Sequence, residues 1–145
     1  MMEFLLIEHG SKQYQQMVSL RTDILRKPLG LVYSETQLKS EKSDLLIGAF
    51  ENNQIIGCCI LTPIENNQIQ LRQMAVEKNS QSKGIGAQII RFAENISHQR
   101  GFVSMMMHAR KSAVGFYQKL DYQVVGEEFY EVSIPHFVME KDLVP

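Results

Sequence analysis

Leu71-Arg72-Gln73-Met74-Ala75-Val76, followed four residues later by Gln81-Ser82-Lys83-Gly84-Ile85-Gly86-Ala87, decides how this chain is read. An apolar strand-like run feeds a turn with two glycines, and Ile85, Ile89, Phe92 and Ile96 then recur at helical spacing. The first N–H groups of a helix have no partner within the helix, and its dipole is positive there. Glycines let backbone approach a ligand closely. A pyrophosphate is the natural guest of such a turn. Two well-known phosphate loops do not fit. A Walker loop needs Gly-Lys followed by Ser or Thr, whereas Lys83 precedes Gly84. A dinucleotide fingerprint needs a third small residue three positions after the second glycine, where Ile89 stands.

Working outward, the pattern predicts three strands ahead of the loop, at Leu45–Phe50, Gln54–Leu61 and Ile69–Val76. Asn52-Asn53 and Asn66-Asn67 supply the tight turns between them. Further towards the N-terminus, Phe4–Ile7 reads as a strand. Tyr14, Met17, Val18, Arg21, Ile24 and Leu25 read as a helix stopped by Pro28 and Gly30. A short second helix is expected over residues 34–42, with Ser34 as cap and Gln37 three residues on. Past the long helix, which ends near Gly101, come a methionine-rich strand (Val103–His108), a short helix (Ser112–Leu120) and two brief strands. These last are Tyr122–Gly126 and Phe137–Met139, with Pro135 at an edge or bulge. The order β-α-α-β-β-β-α-β-α-β-β mixes hairpins with a crossover helix, an α+β arrangement around a central sheet.

Composition narrows the function. A chain of 145 residues fits one domain, 1–145, and 44% apolar residues supply a core. Fifteen basic and sixteen acidic residues leave a net charge of −1, which gives no long-range attraction to nucleic acid or anionic membrane. The expected partner is therefore a small molecule or protein, with no nucleic acid and no membrane. The N-terminal run Phe4–Ile7 is too short for a signal sequence, and no segment approaches the roughly 20 apolar residues of a membrane span. Cys58 and Cys59 are adjacent, so on a strand they face opposite ways. They read as buried, reduced thiols of a cytoplasmic protein, and no metal site is expected.

Three blocks carry a family resemblance. Gln81-x-x-Gly84-x-Gly86 resembles the pyrophosphate signature of the GCN5-related N-acetyltransferases (GNAT), Gln/Arg-x-x-Gly-x-Gly/Ala. Ala113-Val114-Gly115-Phe116-Tyr117-Gln118-Lys119-Leu120-Asp121-Tyr122 resembles the family's Ala-x-x-Phe-Tyr-x-x-x-Gly-Phe block, and residues 134–141 resemble its closing strand. Two positions depart from the pattern. Arg110 stands where the family often has Asn, and Asp121 replaces the Gly of Gly-Phe, a turn position that Asp tolerates. The resemblance implies a GNAT fold: a mixed, mostly antiparallel sheet with helices on both faces. It also implies acetyl-CoA as co-substrate and an amine as acceptor. It places pantetheine on a bulged strand at Met74, Ala75 and Val76, and the pyrophosphate on amides of Ser82, Lys83, Gly84, Ile85, Gly86 and Ala87 after Gln81, with Arg110 contributing. It makes Tyr117 the general acid that protonates the departing thiolate, itself beside the cofactor.

The general base is less determined. His108 and His136 are the candidates, since histidine titrates in the useful range, with Glu128 behind them; packing or hydrogen bonding is the competing explanation for each. Arg21, Arg26 and Lys27–Leu31 fall where the family shapes its acceptor pocket. The arginines read as solvated helix-end charges, or as readers of an acidic acceptor group. Met105, Met106 and Met107 read as core. A homodimer through a C-terminal edge strand is expected. The other function class left open is a non-catalytic acyl-CoA binder on the same scaffold; a nucleotide-binding domain is disfavoured by the loop spacing.

Overall fold

The computed structural model describes residues 2–143. The expected domain bounds 1–145 therefore include Met1, Val144 and Pro145, which lie outside the described residues. Seven strands form one mixed sheet in the order β1-β2-β3-β4-β5-β7-β6. They are β1 (Met2–Ile7), β2 (Leu45–Glu51), β3 (Gln54–Pro63), β4 (Gln68–Val76), β5 (Ser104–Arg110), β6 (Gln123–Glu131) and β7 (Ile134–Asp142). The helices are α1 (Lys12–Arg21), α2 (Glu35–Ser40), α3 (Ile85–Gln99) and α4 (Val114–Gln118). The α+β class and element order follow the sequence expectation. Contacts divide the chain into two compact units, residues 1–62 with 73–93, and residues 63–72 with 94–145.

In the first unit, β1 and β3 flank β2 in antiparallel ladders. Asn52 and Asn53 both take positive φ (52° and 64°), the backbone that a tight two-residue hairpin turn requires. Alternation along the strands sends neighbouring side chains to opposite faces. Leu46, Phe50, Cys58 and Ile60 pack with Tyr14, Met17 and Leu20 of α1. Gly57 sits on the other face, where a Cβ would lie 2.5 Å from Cδ1 of Ile89 on α3. Phe4 meets Phe92 of α3 edge to face, with centroids 6.0 Å apart. Helices thus cover both faces here. Helix α1 starts at Ser11, whose hydroxyl accepts from the Tyr14 amide. It ends differently from expectation: a π-helical turn over Thr22–Arg26 and a 3₁₀ turn over Lys27–Leu29 carry the chain to Gly30, whose φ is 70°. Ser34 caps α2 through the Gln37 amide, as the sequence implied.

The second unit holds the start of β4 with β5, β7 and β6. Gln68 to Leu71 pair in parallel with Ser104 to Met107, and β5–β7 and β7–β6 are antiparallel. Met105, Met107 and Met139 are buried, so two of the three consecutive methionines are core as expected. The last two strands are much longer than the sequence reading, nine residues each. Their connection is Val132-Ser133, both at positive φ (46° and 62°). A β-branched residue is a poor occupant of that conformation, so the turn carried no glycine or asparagine signal. Pro135 is not on an edge strand. It is the second residue of β7, one position before the first β5 pair, Arg110–His136, so its missing N–H removes no bond of that ladder. Asp121 takes φ 73°, as the turn after α4 requires.

Candidate active site

The glycine loop and the second half of β4 belong to the first unit. Gln73 sits within β4 at φ 54°, a conformation foreign to an extended strand and costly for a side chain that is not glycine. Gln73 and Met74 are half-buried in succession, so the in–out alternation breaks there and resumes at buried Ala75 and half-buried Val76. The strand is irregular where the bulge was expected. The chain then turns through Lys78–Ser80, and Gln81 folds back so that its Nε2 donates to the Val76 carbonyl (2.9 Å). Ser82 and Gly84 take φ 67° and 80°. Ser82, Lys83 and Gly84 are exposed, Ile85 is buried and anchors α3, and Gly86 and Ala87 are half-buried. The Gly84 carbonyl accepts from the Gln88 amide, so Gly84 stands at the cap position. Among the described residues no acceptor takes the N–H of Ile85, Gly86 or Ala87. That leaves a helix mouth with outward donors and no side-chain cap, the electrostatics an anionic group needs.

The first unit also holds a charged cluster that the sequence reading misjudged. Arg21 is not a solvated helix-end charge: it is fully buried. Its Nη1 and Nη2 donate to Glu41 at 2.9 and 2.7 Å, and the Tyr14 hydroxyl donates to the same carboxylate at 2.7 Å. Burial works against the Arg21 charge, but bonding to Glu41 outweighs it and holds the guanidinium protonated. Burial, then the Glu41 carboxylate, push the Tyr14 hydroxyl up. Tyr33 was not singled out in the sequence, because it lies between Gly30 and Ser34 in what reads as a linker. Its ring meets the guanidinium carbons of Arg21 (4.4 Å) and Arg26 (4.7 Å), and its hydroxyl donates to Gln73 Oε1 (2.6 Å).

Both cysteines are free and buried, as expected. Burial pushes the Cys58 thiol up to about 12, and it drives Cys59 well above the ordinary thiol value. Neither is a nucleophile at neutral pH. A surface hollow of about 600 Å³ over α1 is lined by Lys12, Gln16, Asp23 and Ile55 among others. It contains none of the loop or β4 residues.

In the second unit, strand register places His108, Arg110, His136, Phe129 and Glu131 on one face of the sheet. His136 is buried, and its Nδ1–H donates to the Ile134 carbonyl (2.7 Å). A carbonyl only accepts, so this bond fixes the proton on Nδ1 and leaves Nε2 as the variable site. Nε2 lies 3.7 Å from Glu131 Oε2, while Glu131 Oε1 lies 3.0 Å from His108 Nδ1. One carboxylate therefore joins both histidine candidates. Phe129 stacks on His136 and meets His108 edge to face. Glu131 was missed because the sequence reading ended that strand at Gly126. Glu128 is committed elsewhere, 3.0 Å from Lys111 Nζ. Arg110 is half-buried, ends β5 and pairs with His136 in the ladder.

Tyr117 is buried on α4, edge to face with Phe116 (5.1 Å) and Tyr122 (5.9 Å). Tyr122 is held in turn by Glu94 (2.7 Å) and by Met105 sulfur (3.2 Å), and Lys141 bonds the same Glu94. Tyr117 thus rests on an ordered aromatic pair. Among the described residues no group of three or more His, Cys, Asp or Glu side chains is placed to hold a metal ion. No helix among them is long and apolar enough to cross a membrane.

Comparison with known proteins adds three findings. Residues 30–143 match the family model described as an acetyltransferase (GNAT) domain. The uncharacterized protein YyaT of Bacillus subtilis is 35% identical over 94 residues, 65% of this chain and 63% of that protein. The chain spans less than two thirds of the length of the curated relatives it matches. Among solved structures, a Lactobacillus plantarum protein described as an N-acetyltransferase superposes with a TM-score of 0.88 at 20% identity, covering 99% of both chains. An aminoglycoside 6'-N-acetyltransferase complexed with coenzyme A superposes at 0.83 with 14% identity, covering 99% and 98%. At these identities the superpositions speak to the fold.

Proposed function

The chain belongs to the GNAT acetyltransferase family, and on that premise we propose that it is a single N-acetyltransferase domain, residues 1–145, which moves an acetyl group from acetyl-CoA to a primary amine. The observation that carries this reading is the uncapped mouth of α3 in the same compact unit as the irregular stretch of β4. Amides of Ser82, Lys83, Gly84, Ile85, Gly86 and Ala87 hold the pyrophosphate, with Gln81 bracing the turn through Val76. Backbone groups of Met74, Ala75 and Val76 align the pantetheine arm, and Arg110 supports the cofactor from β5.

The reaction is direct attack. The neutral amine adds to the thioester carbonyl, a C–N bond forms, and the C–S bond breaks as the tetrahedral oxyanion collapses. An amide N–H of the 74–76 stretch stabilises that oxyanion, a contact worth about 2.7–4 kcal/mol where comparable donors have been removed. Tyr117 gives its hydroxyl proton to the departing thiolate; ordinary phenols and thiols, near pKa 10 and 8.5, are close enough for the transfer. The proton lost by the amine passes to the His108–Glu131–His136 cluster, directly or through water. His136 Nε2 and the half-exposed His108 are the acceptors there. A homodimer pairing through the exposed β6 edge completes the reading.

Purified protein incubated with acetyl-CoA and a broad amine panel should release free thiol above the hydrolysis background, and acetyl-CoA should raise its melting temperature. Cofactor binding without transfer to any amine would identify an acyl-CoA-binding module instead. Replacing Tyr117 by Phe should lower kcat about 100-fold or more while leaving cofactor affinity nearly unchanged.

A further inference from the structure

Arg21 and Arg26 both lie against the ring of Tyr33, yet their charges are handled in opposite ways. Arg21 is buried and neutralised by Glu41, to which it donates two hydrogen bonds. Arg26 is half-buried and forms no ion pair or side-chain hydrogen bond with any described residue. Its guanidinium is held by a ring face, and a cation–π contact leaves it without the acceptor oxygens that its N–H donors match. Glu41, which neutralises Arg21, also accepts from Tyr14. The Tyr33 ring thus meets two guanidinium groups, of which Arg21 is paired with a carboxylate and Arg26 is not.

The position of this charge is specified. Arg26 ends a π-helical turn, a wide turn frequent at functional sites. The Leu31 amide bonds back to the Arg26 carbonyl (3.0 Å), closing the turn onto Gly30. Through Tyr33 the guanidinium is tied to Gln73 Oε1, and Gln73 is the strained residue beside the Met74–Val76 stretch assigned above to the thioester arm. An unpaired guanidinium is thus braced against the segment that aligns the acyl group.

We propose that Arg26, positioned by Tyr33, binds a carboxylate on the acceptor, so that the substrate is an amine that also bears a carboxylate, such as an amino acid or a peptide with a free acidic group. This rests on the N-acetyltransferase reading. Arg26 acts as a specificity residue: it contacts the acceptor, and bidentate geometry would orient the amine towards the thioester.

The test uses matched acceptors that differ only in the carboxylate: L-leucine against isoamylamine, L-phenylalanine against phenethylamine, L-lysine against cadaverine, and a short peptide against its amidated, acid-free form. Thiol release from acetyl-CoA is measured with wild type, Arg26→Met and Arg26→Lys. The expected result is a preference for at least one carboxylate-bearing member, with kcat/KM for it falling about 10–100-fold in Arg26→Met. Its carboxylate-free partner should change less than about twofold, and Arg26→Lys should recover part of the loss. Wild type that prefers the acid-free members, or Arg26→Met that keeps the preference while melting as wild type does, overturns the proposal and leaves the transferase reading intact. Absence of turnover with every amine, together with no thermal shift from acetyl-CoA, overturns the transferase reading and this proposal with it.

Discussion

Two carboxylates organise the charged chemistry of this protein, and they do so under opposite conditions. Glu41, in the first unit, is fully buried and holds Arg21 through two short bonds and Tyr14 through a third. Glu131, in the second, is about half exposed and holds its histidines more loosely, at 3.0 and 3.7 Å. The difference is one of dielectric. In the dry cluster burial and the Glu41 carboxylate push the Tyr14 hydroxyl up, and bonding to Glu41 holds Arg21 charged, so the cluster sets geometry. In the other cluster Glu131 and His108 face solvent, which can take or supply a proton there. One charge is fixed by burial; the other lies open to solvent.

The largest effect should come from breaking the dry pair. Glu41→Ala leaves Arg21 buried and unpaired and should cost about 3–5 kcal/mol in urea unfolding, or prevent folding. Replacing Arg21 and Glu41 together by methionine and leucine should recover most of that loss, because both desolvation costs disappear. A double variant as unstable as Glu41→Ala would mean that the pair stabilises the fold in a way apolar packing cannot replace.

The next effect separates the two clusters by pH. The Cys58 thiol beside the dry cluster is raised by burial to about 12. A group whose pKa is raised on folding contributes its full share of stability below its unfolded value, near 9, and loses it as pH climbs through the folded value. Wild type should therefore lose stability between about pH 9 and 12, with a shallower loss in Cys58→Ala; parallel slopes would remove Cys58 from the account. At pH 8 neither thiol should react with a maleimide in the folded protein.

The smallest effect on stability should come from the wet cluster. Glu131→Gln should alter unfolding by less than about 1 kcal/mol, because the pairs it breaks are part-exposed. It should nevertheless change the kcat/KM–pH profile, as should His136→Ala. An unchanged profile in both variants would show that the cluster carries no proton in the reaction.

What the sequence made legible follows the same division. The asparagine turns, Ser34 cap, glycine loop and β4 all leave local signals, because turn geometry and helix capping depend on residues close in the chain. The family blocks brought Tyr117, Gln81 and Arg110 to notice, and Gln73 takes its positive φ within the strand that the resemblance implied to bulge. The Arg21–Glu41 pair is separated by 20 residues and the His108–Glu131 pair by 23. No periodicity reports on partners so far apart, so Arg21 read as a surface charge and Glu131 was passed over. The final hairpin was cut short for a related reason: Val132-Ser133 adopts a turn its residue types do not advertise, and the strand pairing imposes it.

Gly57 has an implication for anyone altering this chain. Its hydrogen stands where a methyl would crowd the tip of Ile89, and the Ala75 carbonyl lies 3.4 Å from the same point. The helix whose mouth is assigned to the pyrophosphate is thus seated against the sheet by an atom that is missing. Adding that atom is the smallest edit available, and it would act as a shim: Ile89 must yield or α3 must lift, and the loop would shift relative to Met74–Val76 without any loop residue being touched. A Gly57→Ala protein that folds normally but binds acetyl-CoA more weakly would show that the reach between the two ends of the cofactor is gauged from beneath.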